Sequence, residues 1–321
     1  MILQYRLQTN PFFNIAAEEY FVKTAKSDMC MLWINEKSVI VGKHQNAYNE
    51  INYPFIKEND IPVIRRISGG GTVFHDLGNL NFSFIHHKKN NIIPDFSSFA
   101  NVIVDYLKHL GLPAGLGNRN SIFVGEKKVS GHAEHIYKDK ILHHGTILFN
   151  TDLKMLSESI ISAKHYKSKA LASVRSQVAN ISPLVPQFAD INAFALDFMH
   201  YMKNHFKKAH IRKITKKATE KIQLLADKKY VNWNWNFGYS PSYAFPIMLP
   251  CCKKPFEINV RNGIVENIIP EEEINKDCNL ILENLIGLPH HEEAFEKFAV
   301  EQKDALNHLK IGDNEFIKMF F

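Results

Sequence analysis

The sequence lacks the features that mark a secreted or membrane-bound chain. Its 321 residues include only four cysteines, and the adjacent pair Cys251 and Cys252 suits neither a disulfide framework nor a CxxC metal site. No stretch approaches the roughly 18 uninterrupted apolar residues of a membrane-spanning helix. The opening "MILQYRLQTNPFFN" has no basic start followed by a long apolar core, so no signal peptide is predicted. These absences predict a soluble, cytoplasmic protein.

A strong charge of one sign is absent as well. Lysine and arginine number 39 against 33 acidic residues, which gives a net charge of +6. So small an excess fits an anionic ligand or an acidic partner, and we expect neither nucleic acid nor a membrane to bind. A disordered chain is excluded, because 45% of the residues are apolar and 23 are phenylalanine.

Segments typical of hairpins and of helices alternate irregularly along the chain. A helix is predicted over "NIAAEEYFVKTA", with Asn14 as the N-cap, and an amphipathic helix over "FSSFANVIVDYLKHLG", which Gly111 ends. Strands are predicted at "MLWI", "SVIVG", "IPVIRR" and "NLNFSFI". Because these elements do not repeat as β-α-β units, the predicted fold class is α+β.

The length of the chain exceeds what one hydrophobic core supports, so a large and a small domain are expected. The aromatic segment "NWNWNFGYSPSYAF" is predicted to close the first domain, which gives domains at residues 1–239 and 240–321. Within the second, "FEINVRNGIVENIIP" predicts a hairpin with Asn262-Gly263 in a type I′ turn.

The stretch "RRISGGGTVFHDLGN" places three consecutive glycines between two arginines and a His-Asp pair. It is neither a Walker A loop nor a Rossmann fingerprint, because GxxxxGK[ST] and GxGxxG are both absent there. Three glycines alone would indicate a β-turn. Here Arg65 and Arg66 come directly before them, and His75, Asp76 and Asn79 follow. Backbone N–H groups beside an arginine fork therefore predict a cradle for a phosphate.

A second signal is "GEKKVSGHA", which contains Lys128 on a predicted strand. Alone it indicates an ordinary surface hairpin with an exposed lysine. Paired with the glycine loop it suggests activation of a carboxylate by ATP, since that chemistry needs a cation that touches both reactants.

Four blocks of the sequence resemble, in order and spacing, the signatures of the lipoate–protein ligase A family. They are "RRISGGGTVFHDLGNLNFSF", "KKVSGHA", "HHGTILFN" and "SVRSQVANI". The match covers roughly Asn14 to Pro183, and the "WNWNFG" segment with the small C-terminal domain resembles the bacterial two-domain form. The resemblance implies a large mixed-sheet domain of the biotin/lipoate ligase type and a small α+β domain that moves between the two reaction steps. It also implies ATP-dependent attachment of lipoate to a lysine of an acceptor protein, through lipoyl-adenylate.

The resemblance implies roles for individual residues. Lys128 matches the family's essential lysine. The nucleotide and adenylate site would comprise Arg66, Gly69, Gly70, Gly71, Thr72, Val73, Phe74, His75, Asn79, Asn120 and Lys128. The lipoate pocket would comprise Trp33, Gly42, Arg65, Gly70 and His144. Ser121 stands where the family commonly has an aspartate, so Asp76, Ser121 or the phosphates themselves would hold Mg²⁺.

The implied ligands are ATP, Mg²⁺ and lipoate, and the implied partners are the glycine cleavage H protein and the acyltransferase subunits of 2-oxoacid dehydrogenases. Three alternatives stay open at this stage: an octanoyl or lipoyl transferase, an amidotransferase of the same fold, and a non-catalytic lipoate-binding protein. Acyl-enzyme members need a cysteine nucleophile, and all four cysteines, Cys30 and Cys278 included, lie outside the four blocks. The histidine doublets lack the ligand pattern of a zinc site. Preference between lipoate and octanoate is not predicted.

Overall fold

The computed structural model describes residues 1–88, 96–117, 121–161, 166–170, 172–173, 176–250, 252, 254–269 and 276–321. The strands found there are β1 Ile2–Arg6, β2 Met29–Ile34, β3 Ser38–Val41, β4 Val63–Arg65, β5 Val73–His75, β6 Asn79–His87, β7 Ala114–Gly117, β8 Ser121–Val124, β9 Lys127–Tyr137, β10 Lys140–Leu148, β11 Lys167–Ser168, β12 His210–Ile211, β13 Tyr243–Ile247, β14 Phe256–Arg261 and β15 Ile264–Ile269. Strands and helices alternate irregularly, and the predicted α+β class is confirmed.

The helices occupy the following segments of the same described ranges. They are α1 Pro11–Thr24, α2 Ala47–Glu50, α3 Tyr53–Glu58, α4 Phe96–His109, α5 Leu153–Ser159, α6 Ile191–His205, α7 Lys216–Leu225, α8 Lys276–Leu285, α9 Glu292–Glu301, α10 Lys303–His308 and α11 Asp313–Lys318. A 3₁₀ turn covers Ser182–Leu184, and π-helical turns cover Ala226–Tyr230 and Asn234–Gly238. No helix in these ranges is long and apolar enough to cross a membrane.

Residues 1–43, 61–160 and 173–231 form one compact unit around an eight-stranded mixed sheet. The strand order is β12-β1-β2-β6-β10-β9-β8-β7. The first two neighbouring pairs are parallel, and the other pairs are antiparallel. A smaller sheet in the same unit has the order β4-β3-β5. The glycine loop connects β4 to β5 and therefore starts and ends on this smaller sheet.

Helices α4 and α6 contribute their apolar residues to the core of this unit. The rings of Tyr106 and Phe198 stack at 4.4 Å between centroids, and Phe99 of α4 stacks on Phe84 of β6 at 5.5 Å. The predicted amphipathic helix before Gly111 is thus present as α4. Burial of so many aromatic and aliphatic side chains is the main stabilising contribution to a core of this kind.

The predicted start of the first helix is wrong by one turn. Asn10 is the N-cap, and its side chain accepts a hydrogen bond from the backbone N–H of Phe13 at 3.0 Å. Pro11 follows at the first helical position, where its fixed φ and missing N–H are favourable. Asn14 lies inside the helix, and its amide donates to the carbonyl oxygens of Gln8 and Ile34.

Residues 44–60, 161–172 and 232–321 form a second compact unit. Its sheet has the order β11-β13-β14-β15, and helices α8 to α11 complete its apolar core. The predicted hairpin is present, with φ of 53° at Asn262 and 74° at Gly263, as a type I′ turn requires. Two segments that are early in the sequence contribute to this unit, and the division at residues 239 and 240 stays a prediction.

Candidate active site

The three glycines of the loop differ in what their backbone requires. Gly70 has φ of 90°, a left-handed conformation that side chains rarely adopt. Gly71 approaches Ser173 so closely that a β-carbon would come within 3.1 Å of the hydroxyl oxygen. A β-carbon on Gly69 would meet nothing within 4 Å. The loop therefore needs one glycine for its backbone conformation and one for a close approach.

Arg66 holds this loop from within. Its Nη2 donates to the carbonyl oxygens of Gly69 and Gly71, both at 2.7 Å, and its Nε donates to the hydroxyl of Ser68 at 3.0 Å. Burial lowers the pKa of Arg66 to about 10, while the charge of Glu18 opposes that change. The side chain therefore remains a guanidinium at neutral pH. In this structure Arg66 fixes the path of the loop. Its predicted contribution to ligand binding would therefore include holding the loop in position.

Arg65 is fully buried and holds a neighbouring segment. Its Nη1 donates to the carbonyl oxygens of Gly42 at 2.9 Å and of Lys43 at 3.1 Å. The backbone N–H of Lys43 in turn donates to the carbonyl of Ser68 at 2.8 Å. Thus the two arginines that precede the glycines connect β3, β4 and the loop into one hydrogen-bonded corner.

Lys128 lies near the start of β9, half-buried, next to an irregularity in the pairing of β9 with β8. Its backbone N–H donates to the carbonyl of Gln177, and its carbonyl accepts from the N–H of Ala179, both at 3.0 Å. Burial lowers the pKa of Lys128 below its ordinary value of 10.5. Within the described ranges no carboxylate forms an ion pair with its ammonium. An anionic ligand would restore the stabilisation that the ammonium loses on burial.

A cavity of about 320 Å³ lies in front of Lys128. One part of its wall is Lys128, Ser130 and Gly131 of β9, and another part is residues 72–74, which leave the glycine loop. The rest of the wall is largely apolar and includes Leu148, Leu153, Leu156, Ile160 and Val178. The backbone N–H of Thr72 donates to the hydroxyl of Ser173 at 2.8 Å, which fixes the loop at the cavity edge. Among the described residues of this wall, Lys128 is the only cation, and one cation in a mostly apolar cleft suits a ligand with one charged and one apolar part.

Two predicted lipoate-pocket residues, Trp33 and His144, belong to one buried hydrogen-bond network. The indole N–H of Trp33 donates to Ser83 Oγ at 3.0 Å, and that hydroxyl donates to Glu18 Oε1 at 2.6 Å. His144 contacts the same Glu18 oxygen through Nδ1 at 2.8 Å and Ser68 Oγ through Nε2 at 2.6 Å. The network thereby connects helix α1 and strands β2, β6 and β10 to the glycine loop.

Other predicted residues contact neighbours outside the cavity. Burial, followed by the charge of Arg66, lowers the pKa of His75 to about 3, and the amide of Asn35 donates to its Nδ1 at 3.1 Å. The amide of Asn79 donates to Asn81 Oδ1 at 2.9 Å. Asn120 lies outside the described residues. The neutral imidazole of His75 supports the loop exit and carries no positive charge toward a phosphate.

The predicted magnesium ligands do not fit a protein-bound ion. Both oxygens of Asp76 accept backbone N–H groups, Oδ1 from Gly78 at 2.9 Å and Oδ2 from Asp152 at 2.7 Å. Burial raises the pKa of this carboxyl group, although these hydrogen bonds oppose the change. Ser121 is only 4% exposed. In the described part of the chain, no group of three or more His, Cys, Asp or Glu side chains could hold a metal ion.

Sequence reasoning missed Glu18, Ser68 and Ser173. Glu18 lies on a helix, where a charged residue usually faces solvent, yet it is only 1% exposed. A signal for it was available, because helical spacing places Glu18 on the same face as the apolar residues Ile15 and Val22. Ser173 begins the block "SVRSQVANI", from which no individual residue was predicted.

Comparisons with known proteins identify the family of the chain. The family described as "Lipoyl protein ligase A/B catalytic domain" matches residues 10–206. Lipoate–protein ligase 1 of Staphylococcus aureus is 39% identical over 242 residues, which cover 74% of this chain and 73% of that protein. A crystal structure of lipoate-protein ligase A bound with ATP is 29% identical, with a TM-score of 0.63. The similarity covers 74% of this chain and 100% of that chain.

A bipartite lipoate protein ligase from Thermoplasma acidophilum, studied together with its E2 lipoyl domain, is 30% identical, with a TM-score of 0.62. The similarity covers 74% of this chain and 96% of that chain. These likenesses confirm the expected biotin/lipoate ligase type of fold. The chain belongs to the lipoyl protein ligase A/B family, and it is an enzyme of the ligase type.

Proposed function

We propose that this protein is an ATP-dependent lipoate–protein ligase. In the first step, lipoate and ATP give lipoyl-AMP and pyrophosphate. In the second, the amine of a lysine on an acceptor protein attacks lipoyl-AMP and gives an amide, AMP and a proton. Similarity to lipoate–protein ligase 1 and to a ligase structure that contains ATP supports both substrates.

The observation that carries the proposal is the ammonium of Lys128 at the edge of the cavity. It is half-buried, and within the described ranges it has no carboxylate partner. Residues 72–74, which line another part of the cavity, directly follow the glycine loop that Arg66 holds in place. A cation and a preorganised segment that line one cleft are what neutralisation of a carboxylate and a phosphate requires.

In the first step, a carboxylate oxygen of lipoate forms a bond to the α-phosphorus of ATP, and the bond to the pyrophosphate oxygen breaks. Both reactants are anionic, so they repel one another unless a positive charge lies between them. Lys128 supplies this charge as a compact ammonium with three donors. Catalysis of such a step consists mostly of positioning and charge stabilisation.

In the second step, the acceptor amine adds to the acyl carbon, and the bond from that carbon to the phosphate oxygen of AMP breaks. Lys128 then stabilises the negative charge that returns to the departing phosphate. Water would hydrolyse the mixed anhydride, so the intermediate has to be protected between the steps. The apolar wall with Leu153, Leu156 and Ile160 would exclude water on that side.

Magnesium would enter the site bound to the phosphates of ATP. Mg²⁺ at such sites commonly keeps several waters and binds substrate phosphates. Because Asp76 already accepts two backbone N–H groups, no step is assigned to a protein-bound metal. The proposed acceptors are lipoyl domains of 2-oxoacid dehydrogenase acyltransferase subunits and the glycine cleavage H protein. The E2 lipoyl domain studied with the related archaeal ligase supports the first of these classes.

The alternatives have less support. A transferase with an acyl-enzyme needs a reactive thiolate, but Cys30 lies in the core, and burial raises its pKa well above the ordinary value. Cys252 is buried as well, Cys278 is disulfide-bonded, and Cys251 lies outside the described residues. A non-catalytic lipoate-binding protein could hold the lipoate carboxylate with the same ammonium. Similarity to a ligase structure that contains ATP favours the ligase instead.

The test is an intact-mass measurement on a purified acceptor lipoyl domain incubated with the protein, ATP, Mg²⁺ and lipoate. We expect the mass increment of one lipoyl group, and none when ATP is omitted. Without acceptor, lipoyl-AMP should accumulate and be detectable by mass spectrometry. Modification from a lipoyl or octanoyl donor protein in the absence of ATP would instead identify a transferase.

A further inference from the structure

Four side chains on β9 and β10, close in sequence or in register to Lys128, form a continuous hydrogen-bonded chain. Ser130 Oγ contacts His132 Nε2 at 2.8 Å, and His132 Nδ1 contacts His143 Nε2 at 2.9 Å. His143 Nδ1 contacts Glu134 Oε1 at 3.1 Å. These four residues, Ser130, His132, His143 and Glu134, are called the relay below. The reaction as described above uses none of its imidazoles.

While Glu134 is ionised, the hydrogen bonds of the relay can run in only one direction from donor to acceptor. A carboxylate only accepts hydrogen bonds, so His143 must donate from Nδ1 and keep Nε2 as an acceptor. His132 must then donate from its own Nδ1 and accept at Nε2. Ser130 is left to donate its hydroxyl proton to His132. Glu134 therefore sets the tautomer of both rings and the orientation of the hydroxyl.

The surroundings of the relay favour neutral rings. Burial lowers the pKa of His132 well below its ordinary value, with further contributions from His143 and Lys128. Burial likewise lowers the pKa of His143, although Glu134 opposes the change. The ring of Phe99 lies 5.4 Å from that of His143, and the ring of Phe82 lies 5.1 Å from that of His132. Neutral imidazoles preserve the chain of donors and acceptors.

The relay runs along the strand segment that carries Lys128. Ser130, His132 and Glu134 alternate along β9 and so share one face, and His143 lies directly opposite Glu134 on β10. Pairing with β8 shifts register here: Ile122 pairs with Ser130 and Phe123 pairs with Lys128. The ammonium of Lys128 folds against Gly131, between the first two relay residues. A segment with irregular pairing needs a further support if it is to hold a side chain in one place.

We propose that the relay positions Lys128 for catalysis, with Glu134 as the residue that fixes its direction. The proposal rests on the proposed ligase function for its effect on activity. It makes Ser130, His132, His143 and Glu134 positioning residues, since they act on the reaction through the strand beneath Lys128. Both imidazoles are assigned as Nδ1–H tautomers, opposite to the form that free neutral histidine prefers.

The direct test is ¹⁵N NMR of the full chain labelled at histidine, with His132→Asn and His143→Asn variants for assignment. We expect both resonances to show a protonated Nδ1 and an unprotonated Nε2. Replacement of Glu134 with Gln, whose amide can donate as well as accept, should abolish this uniform pattern. Nε2–H tautomers for either ring in the parent protein would overturn the proposal.

The functional test compares Glu134→Ala with Glu126→Ala, an exposed glutamate in the turn before β9. We expect Glu134→Ala to lower the rate of lipoyl-AMP formation about 10–100-fold with little change in KM, as for a small displacement of a catalytic group. Glu126→Ala should match the parent. Recovery of the parental rate at a lower temperature would reveal a purely structural role and overturn the proposal, as would an unchanged rate.

A failure of the ligase function itself is distinguishable from a failure of the relay. If the parent protein forms no lipoyl-AMP, the proposed function fails, while the tautomer measurement remains interpretable. In that case NMR titration of the Lys128 ammonium in the parent and in Glu134→Ala tests the positioning without turnover. Identical titration curves for Lys128 in the two proteins would contradict the relay.

Discussion

The ammonium of Lys128 lies against Gly131, where a β-carbon would come within 3.3 Å of its nitrogen. Such a contact is tight, but the flexible end of the lysine can move aside. We therefore expect Gly131→Ala to fold normally and to displace the ammonium from the cavity. Lipoyl-AMP formation should fall by about tenfold or more, since misplacement of a catalytic group is costly even over short distances. Thermal unfolding measured in parallel should show little change, and a parental rate in this variant would contradict the assigned contact.

Gly70 gives a second prediction because its φ is positive. A β-branched residue at φ of 90° is strained by roughly 1–3 kcal/mol, and its β-carbon would lie 3.0 Å from Arg66 Nη2. Gly70→Val should therefore weaken binding of both ATP and lipoate, measured by isothermal titration calorimetry. Gly115→Val is the matched control, since Gly115 lies outside the predicted site, has no positive φ, and a β-carbon there meets nothing within 4 Å. Equal affinities of Gly70→Val and the parent for ATP and lipoate would show that the loop is an ordinary turn with no part in binding.

The lowered pKa of Lys128 predicts how nucleotide binding depends on pH. The ammonium attracts phosphate only while it is protonated, so affinity is full below its pKa in the free protein and falls above it. Because burial lowers this pKa, the loss should begin at a lower pH than the ordinary lysine value of 10.5 implies. Lys128→Arg, which stays charged throughout, should remove this alkaline loss whatever its effect on the rate. Affinity measured across the alkaline range checks both expectations.

Cysteine chemistry should be dispensable. Cys30 contacts Met202 in the core, with 3.5 Å between the two sulfurs, and it does not line the cavity. Replacement of all four cysteines with Ala should leave ATP-dependent ligation intact at a temperature where the variant is folded. Loss of ligation in the folded variant, together with a thioester on the parent protein, would favour the transferase alternative.

Much of the fold could be predicted because its signals are local. The amphipathic pattern before Gly111 identified α4, and Asn262-Gly263 identified a type I′ turn, since both depend on residues near in sequence. The start of α1 was wrong because two asparagines compete for the cap. Asn14 is held inside the helix by bonds to distant carbonyl groups, including that of Ile34, which a helix pattern does not contain.

The composition of the second unit could not be predicted, because its core joins segments far apart in sequence. The ring of Tyr48 stacks on that of Tyr166 at 6.3 Å, and Tyr166 meets Tyr243 at 5.7 Å. Neither early tyrosine carries a pattern that assigns it to the C-terminal part. A chain that ends near Tyr239 would lack Tyr243, whose ring contacts those of both Tyr48 and Tyr166. Such a truncation would therefore test the stability of the unit before it tested any role in adenylate formation.

The site shows the same division between local and distant signals. Lys128 and residues 72–74, which follow the glycine loop, line one cavity, and each belongs to a recognisable motif. Their roles in ligand binding stay predictions. Glu18 was missed, since its partners Ser83 and His144 come from other strands. The relay was missed for a similar reason. Its direction follows from a contact between Glu134 and His143 that exists only once β9 and β10 pair.

The most direct test of the central claim is lipoyl-AMP formation by Lys128→Ala beside Lys127→Ala. Lys127 is exposed, and its ammonium donates to Gln177 Oε1 at 2.5 Å, so its loss removes an equal charge one residue away. With ATP, Mg²⁺ and lipoate, and no acceptor, we expect parental adenylate from Lys127→Ala and none above background from folded Lys128→Ala. Near-parental adenylate from folded Lys128→Ala would contradict the account.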